Sequence, residues 1–131
     1  MRFEDLDVWQ MSARLASQIY KSTAALKDWG FRDQITRAAL SISSNIAEGF
    51  ERGSHRDCAR FLSIAKGSCG ELRSQLYIGQ EIGYLPQDQV KTWISASESI
   101  SRMLSALIKK RREYADQISD DQGSYESDSV S

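Results

Sequence analysis

Between Arg32 and Phe50 the chain reads RDQITRAALSISSNIAEGF, and this stretch decides the fold. Its apolar positions Ile35, Ala39, Ile42 and Ile46 recur at steps of four, three and four. On a helix of about 3.6 residues per turn such steps fall on one side, whereas a strand would alternate at every second residue. The alternation of four and three is also the spacing of a coiled-coil seam. The other face is small, with Ala38, Ser41, Ser44 and Ala47.

Outward from this segment, three more stretches show helical spacing. Leu6 to Ala25 carries two parallel stripes, Val8, Met11, Leu15, Ile19 and Trp9, Ala13, Ala16, Tyr20, a face wide enough to meet more than one neighbour. After Gly53, Ser54 and Asp57 form an S-x-x-D capping pattern. The helix it opens runs through Cys58, Phe61, Ala65, Cys69, Leu72 and Leu76 to near Glu81. Gly83-Tyr84-Leu85 ends that helix, and Pro86 suits the first turn of a fourth. The fourth seam is Val90, Trp93, Ser97, Ile100, Leu104 and Leu107, widened by Ile94, Met103 and Ile108, and the helix is expected to fray beyond Tyr114.

No strand pattern competes, and one Pro and eight Gly are too few turn residues for a sandwich or barrel. The expected fold is therefore all-α, an up-down-up-down antiparallel four-helix bundle over residues 1–118, with left-handed supercoiling. Residues 119–131 are rich in Ser, Asp, Gln and Gly and read as a disordered acidic tail.

The chain has 131 residues, 40% hydrophobic and 27% charged, with a net charge of −1, the composition of one ordinary globular domain. The charge is unevenly spread. Residues 116–131 hold five acids and no base, so residues 1–115 carry 17 bases against 13 acids, a net +4. The acidic start Phe3-Glu4-Asp5 lacks the apolar stretch of a secretory signal, and no run reaches membrane-spanning length, so a cytoplasmic protein with no membrane partner is expected. Cys58 and Cys69 lie roughly 16 Å apart along one helix, too far for a disulfide, and read as small buried hydrophobes.

Chemistry is sparse. Glu48-x-x-Glu51 puts two carboxylates on one helix face, as a metal site or metal-dependent hydrolase would, but the single histidine, His55, sits in a first turn and no further inward ligands accompany the pair. Asn45, Glu48, Ser68 and Glu71 invite either a cross-helix hydrogen-bond network or a polar pocket, with Gly67 and Gly70 allowing close approach. No nucleophile–base pair or phosphate loop is present, so no enzyme, cofactor or metal is expected. Two basic groups could meet phosphates: Arg52, Arg56 and Arg60, four apart on one helix face, and Lys109-Lys110-Arg111-Arg112. Surface arginines at that spacing and cations near a helix C-terminus also occur with no ligand at all. Trp29, Phe31 and Tyr84 at helix junctions, with Trp9, Tyr20 and Trp93, offer either core bulk or self-association anchors.

FEDLDVW at Phe3–Trp9, QITRAALSISSNIAEG at Gln34–Gly49 and FLSIAKGSCGEL at Phe61–Leu72 together resemble the four-helix proteins encoded by 23S rRNA intervening sequences, a family related to the accessory variability determinant of diversity-generating retroelements. The resemblance spans about Phe3 to Leu107. It implies an up-down bundle, assembly as a homopentameric ring or barrel and no catalysis, and in the retroelement branch binding of nucleic acid and a reverse transcriptase. Asn45, Glu48 and Gly49 match the first signature; Gly67, Ser68, Glu71 and Leu72 match the second, with a structural role implied for both. Relatives often carry Pro before and within the second helix, where this chain has Lys27-Asp28-Trp29-Gly30 and Ser41-Ile42-Ser43-Ser44. Helix two should therefore be straighter, since Ser43 keeps the backbone donor that Pro lacks. The resulting expectation is a non-enzymatic homo-oligomer, a pentamer, that binds RNA or nucleoprotein, or a nucleic-acid-processing protein, through its basic edges. The alternative is a protein–protein scaffold with no nucleic-acid contact.

Overall fold

The computed structural model describes residues 2–126. A single 3-10 turn, Phe3–Asp5, leads into four helices: α1 Asp7–Thr23, α2 Trp29–Glu51, α3 His55–Glu81 and α4 Gln87–Glu126. No strand occurs among the described residues. Each helix packs on its sequence neighbours, α4 closes back on α1, and the backbones of the diagonal pairs α1–α3 and α2–α4 stay apart. Contacts run in opposite senses along neighbouring helices: Phe31 lies by Gly79, and Gly49 lies by Cys58 and Phe61. This is the antiparallel four-helix bundle that short connections favour.

The seams point inward as their spacing requires. Val8, Leu15 and Ile19 of α1, Ile35, Ala39, Ile42 and Ile46 of α2, Ala65, Cys69, Leu72 and Leu76 of α3, and Val90, Ile100 and Leu104 of α4 form one core. On α3 the buried position near the start belongs to Leu62 rather than Phe61, because Phe61 sits at the α2–α3 edge. Trp93 is core, its Nε1 donating to Gln18 Oε1 at 3.1 Å. Phe31 meets Tyr84 edge-on at 5.3 Å, as Phe3 meets Trp9. Only Tyr20 and Trp29 of the six surplus aromatics stay exposed.

Helix ends explain the boundaries. Helix α2 begins at Trp29, ahead of Arg32, because the Asp28 carboxylate caps it, accepting from Phe31 N at 3.1 Å. Tyr84 donates to the other carboxylate oxygen at 2.9 Å. Both bonds favour the charged form, so the Asp28 carboxyl is held below its ordinary value of 3.8. Ser54 accepts from Asp57 N at 3.0 Å, and α3 starts beside it. The same helix stops where Gly83 takes φ +80°, a left-handed conformation that costs glycine nothing. Tyr84 N then donates to Gly79 O and Gly83 N to Gln80 O. Pro86 stands one residue before α4, not in its first turn, and its carbonyl accepts from Val90 N at 3.0 Å. The backbone of α4 stays helical beyond Tyr114, to Glu126; of the tail expected over 119–131, residues 127–131 lie outside the described residues. Helix α2 is continuous through Ser41–Ser44.

Candidate nucleic-acid interface

Because α3 and α4 run antiparallel, the start of α3 lies beside the part of α4 that follows Ile108. Members of two basic groups far apart in sequence thereby share one groove. Arg56 and Arg60, a helical turn apart, face Arg112 across an open trough of about 600 Å³ floored by Ala59 and Ile64 and edged by Asp116. The trough continues past Ser63 and Arg112 to Lys66, Lys109 and Glu113. Among the described residues neither Arg56 nor Arg112 has an ion-pair partner, whereas Arg60 approaches Asp57 at 3.6 Å.

The remaining members of the two groups are placed differently. Arg52 puts Nε and Nη2 on Glu48 Oε1, at 3.2 and 2.7 Å, and stacks on Phe61 at 4.9 Å. Arg111 turns away from the groove, lies over Phe50 at 4.8 Å and donates to His55 Nδ1 at 3.0 Å. A guanidinium only donates, so Nδ1 accepts and the ring proton is on Nε2. His55 also packs on Tyr114, with ring centroids 5.2 Å apart. Lys110 is exposed and lines neither part of the trough. Lys66, outside both basic groups of the sequence, also belongs to the groove; only the pairing of α3 with α4 singles it out.

The family signature divides into inside and outside. Asn45 Nδ2 donates to Ser41 O at 2.8 Å and to Ser41 Oγ at 2.9 Å, and Ser41 Oγ meets Ser68 Oγ at 2.9 Å. This chain of bonds ties α2 to α3. Glu48 and Glu71 are not members: Glu48 is held by Arg52, and Glu71 Oε1 accepts from Gln75 Nε2 at 3.4 Å on the surface. Nor do Gly67 and Gly70 mediate close approach. A Cβ at Gly67 would meet nothing within 4 Å, whereas one at Gly49 would lie 3.2 Å from Cys58 O, so Gly49 makes the α2–α3 contact.

A second cross-helix link was not legible from spacing. Ser97, fully buried in the α4 seam, donates to Cys69 O and accepts from Arg73 Nη1, both at 3.2 Å. Cys58 and Cys69 are free and buried, and burial pushes the Cys69 thiol up to about 11. Glu51 does not join a metal-ligand set, since no three His, Cys, Asp or Glu converge among the described residues. No helix among them is long and apolar enough to cross a membrane.

A helical bundle whose polar chemistry lies along helix–helix seams, with a cationic trough between its third and fourth helices, is the class of protein that the structure defines. The chain belongs to the 23S rRNA-intervening sequence protein family, whose model matches residues 4–106. It is similar to the crystal structure of a protein with unknown function from the S23 ribosomal protein family of Bacteroides thetaiotaomicron, at 27% identity and a TM-score of 0.73, over 78% of this chain and 98% of that one. A search of curated proteins returns no match.

Proposed function

We propose that this protein is a non-enzymatic, cytoplasmic RNA- or nucleoprotein-binding bundle that holds phosphates in the α3–α4 groove. The observation that carries this reading is the convergence of Arg56, Arg60, Lys66, Lys109 and Arg112 on one open trough. Arg56 and Arg112, which have no ion-pair partner among the described residues, can exchange hydration for phosphate oxygens, and binding of that kind releases counterions and weakens as salt rises. Arg52 and Arg111 act differently: Arg52 is paired with Glu48 and Arg111 is hydrogen-bonded to His55, so they shape the end of the bundle. In a mobility-shift assay at low salt, the protein retards RNA, and Arg56→Ala with Arg112→Ala lowers the log–log salt slope by about one per charge removed. Absence of any shift at low salt would overturn the reading.

The same reading has copies of the chain assembling, as the pentameric ring of the family resemblance implies. Leu40, Tyr77, Ile78 and Ile82, outside the trough, leave large apolar side chains about half exposed, a surface that self-association would cover. Light scattering coupled to size exclusion reads the subunit number directly, and a monomer at micromolar concentration would remove the assembly from the proposal. The exposed apolar side chains equally favour a scaffold, and a partner protein bound with no RNA present would support that alternative.

A further inference from the structure

A glycine inside a helix weakens it, because the residue has more freedom to lose on folding than alanine. Most of the described glycines have a reason within the fold. Gly83 takes the positive φ that ends α3, Gly30 lies in the first turn of α2 and Gly53 in the α2–α3 connection. A Cβ at Gly49 would press on Cys58 O, and one at Gly79 on Leu85 and Phe31. Gly67 has no such task. It lies near the middle of α3, its φ is not positive, and a Cβ there would meet no atom within 4 Å. Gly70 is nearly as free, its Cβ reaching only the Arg73 guanidinium, but it lines neither part of the trough. Gly67 does line it. The lining of α3 runs from Arg56 to Gly67 and that of α4 from Asp116 back to Ser105, so Gly67 and Ser105 stand at the inner end, with Lys66 and Lys109 beside them. Glu113 and Asp116 lie about two and three helical turns further along α4 than Ser105. The bare α3 backbone is thus exposed at the end of the trough where the charge is cationic.

Resting on the phosphate-groove reading above, we infer that Gly67 is a ligand-contact residue: its missing side chain lets the RNA backbone descend onto α3 between Lys66 and Lys109. The helix gives up stability at this position, and the groove gains depth where its ammonium groups can meet phosphate oxygens.

The test titrates the full-length wild type, Gly67→Leu and Ser74→Leu with one labelled mixed-sequence RNA at low salt, and unfolds each protein in urea. Leucine is a good helix former, and Ser74 is exposed on the same helix outside both parts of the trough. Gly67→Leu is expected to be at least as stable as the wild type yet to bind RNA about tenfold more weakly, the loss of roughly one charge-assisted phosphate contact. Ser74→Leu is expected to bind as the wild type does. Undiminished binding by Gly67→Leu would overturn the contact role while leaving the phosphate groove standing; no binding by the wild type would overturn both. An equal loss in Ser74→Leu would trace the effect to added apolar surface, and a lower urea midpoint for Gly67→Leu would give the glycine a task inside the fold. Either result would also overturn the assignment.

Discussion

Ser41 is a small residue with a large share of the order in this bundle, because its hydroxyl stands between Asn45 of its own helix and Ser68 of the next. Ser41→Ala leaves the half-buried Asn45 amide and the buried Ser68 hydroxyl short of a partner, and the expected loss is about 1–2 kcal/mol in urea denaturation. Two glycines give opposite outcomes. Gly79→Ala would set a Cβ 2.5 Å from Leu85 Cδ1 and 2.9 Å from Phe31 Cζ, so a loss of about 1–3 kcal/mol is expected from overpacking. Gly67→Ala meets open space and should gain about 0.5–1 kcal/mol from reduced unfolded-chain entropy and better helix propensity. The same urea titration measures both.

At the scale of elements, Asp28 joins two loops: it caps α2 and receives the hydroxyl of Tyr84 from the α3–α4 connection. Phe31 N and Tyr84 lower its folded pKa below the ordinary 3.8. A depressed carboxyl stabilises the fold above its unfolded pKa, and that contribution is lost as pH falls from 3.8 through the lower folded value. Thermal melts across an acid series should therefore show Asp28→Ala melting below the wild type at neutral pH. The two curves converge as the solution is acidified past that window. A gap that persists unchanged at the acid end would assign the effect to something other than the charge of Asp28.

For the whole molecule, the basic end separates residues that build from residues that bind. Arg111 ties α4 to the ends of α2 and α3 through Phe50 and His55, while Arg112, its neighbour in sequence, faces the trough. Arg111→Ala should cost about 1 kcal/mol of stability and affect RNA binding little. Arg112→Ala should keep its stability and weaken RNA binding while reducing the salt slope by about one. Paired denaturation and mobility-shift titrations distinguish them, and an identical response from the two variants would argue against a groove.

The four helices, their inward faces apart from the Phe61 position that Leu62 takes, and the α3 capping serine are legible in the sequence, because hydrophobic spacing and cap chemistry act between residues a turn apart. Ile35, Ala39, Ile42 and Ile46 had to share a side, and they do. The start of α2 at Trp29 was less legible, since Asp28 only becomes a recognisable cap once its amide partner is in place. What the sequence could not decide is which neighbour each outward residue meets. Glu48 and Asn45 are equally polar and three apart, yet one pairs with a surface arginine and the other bonds inward to Ser41. Arg111 and Arg112 are adjacent and chemically identical, yet one lies over Phe50 and bonds His55 while the other faces Arg56 and Arg60. Their placement depends on the rotation and register of α3 against α4, which long-range packing sets when distant stretches of the chain close on one core.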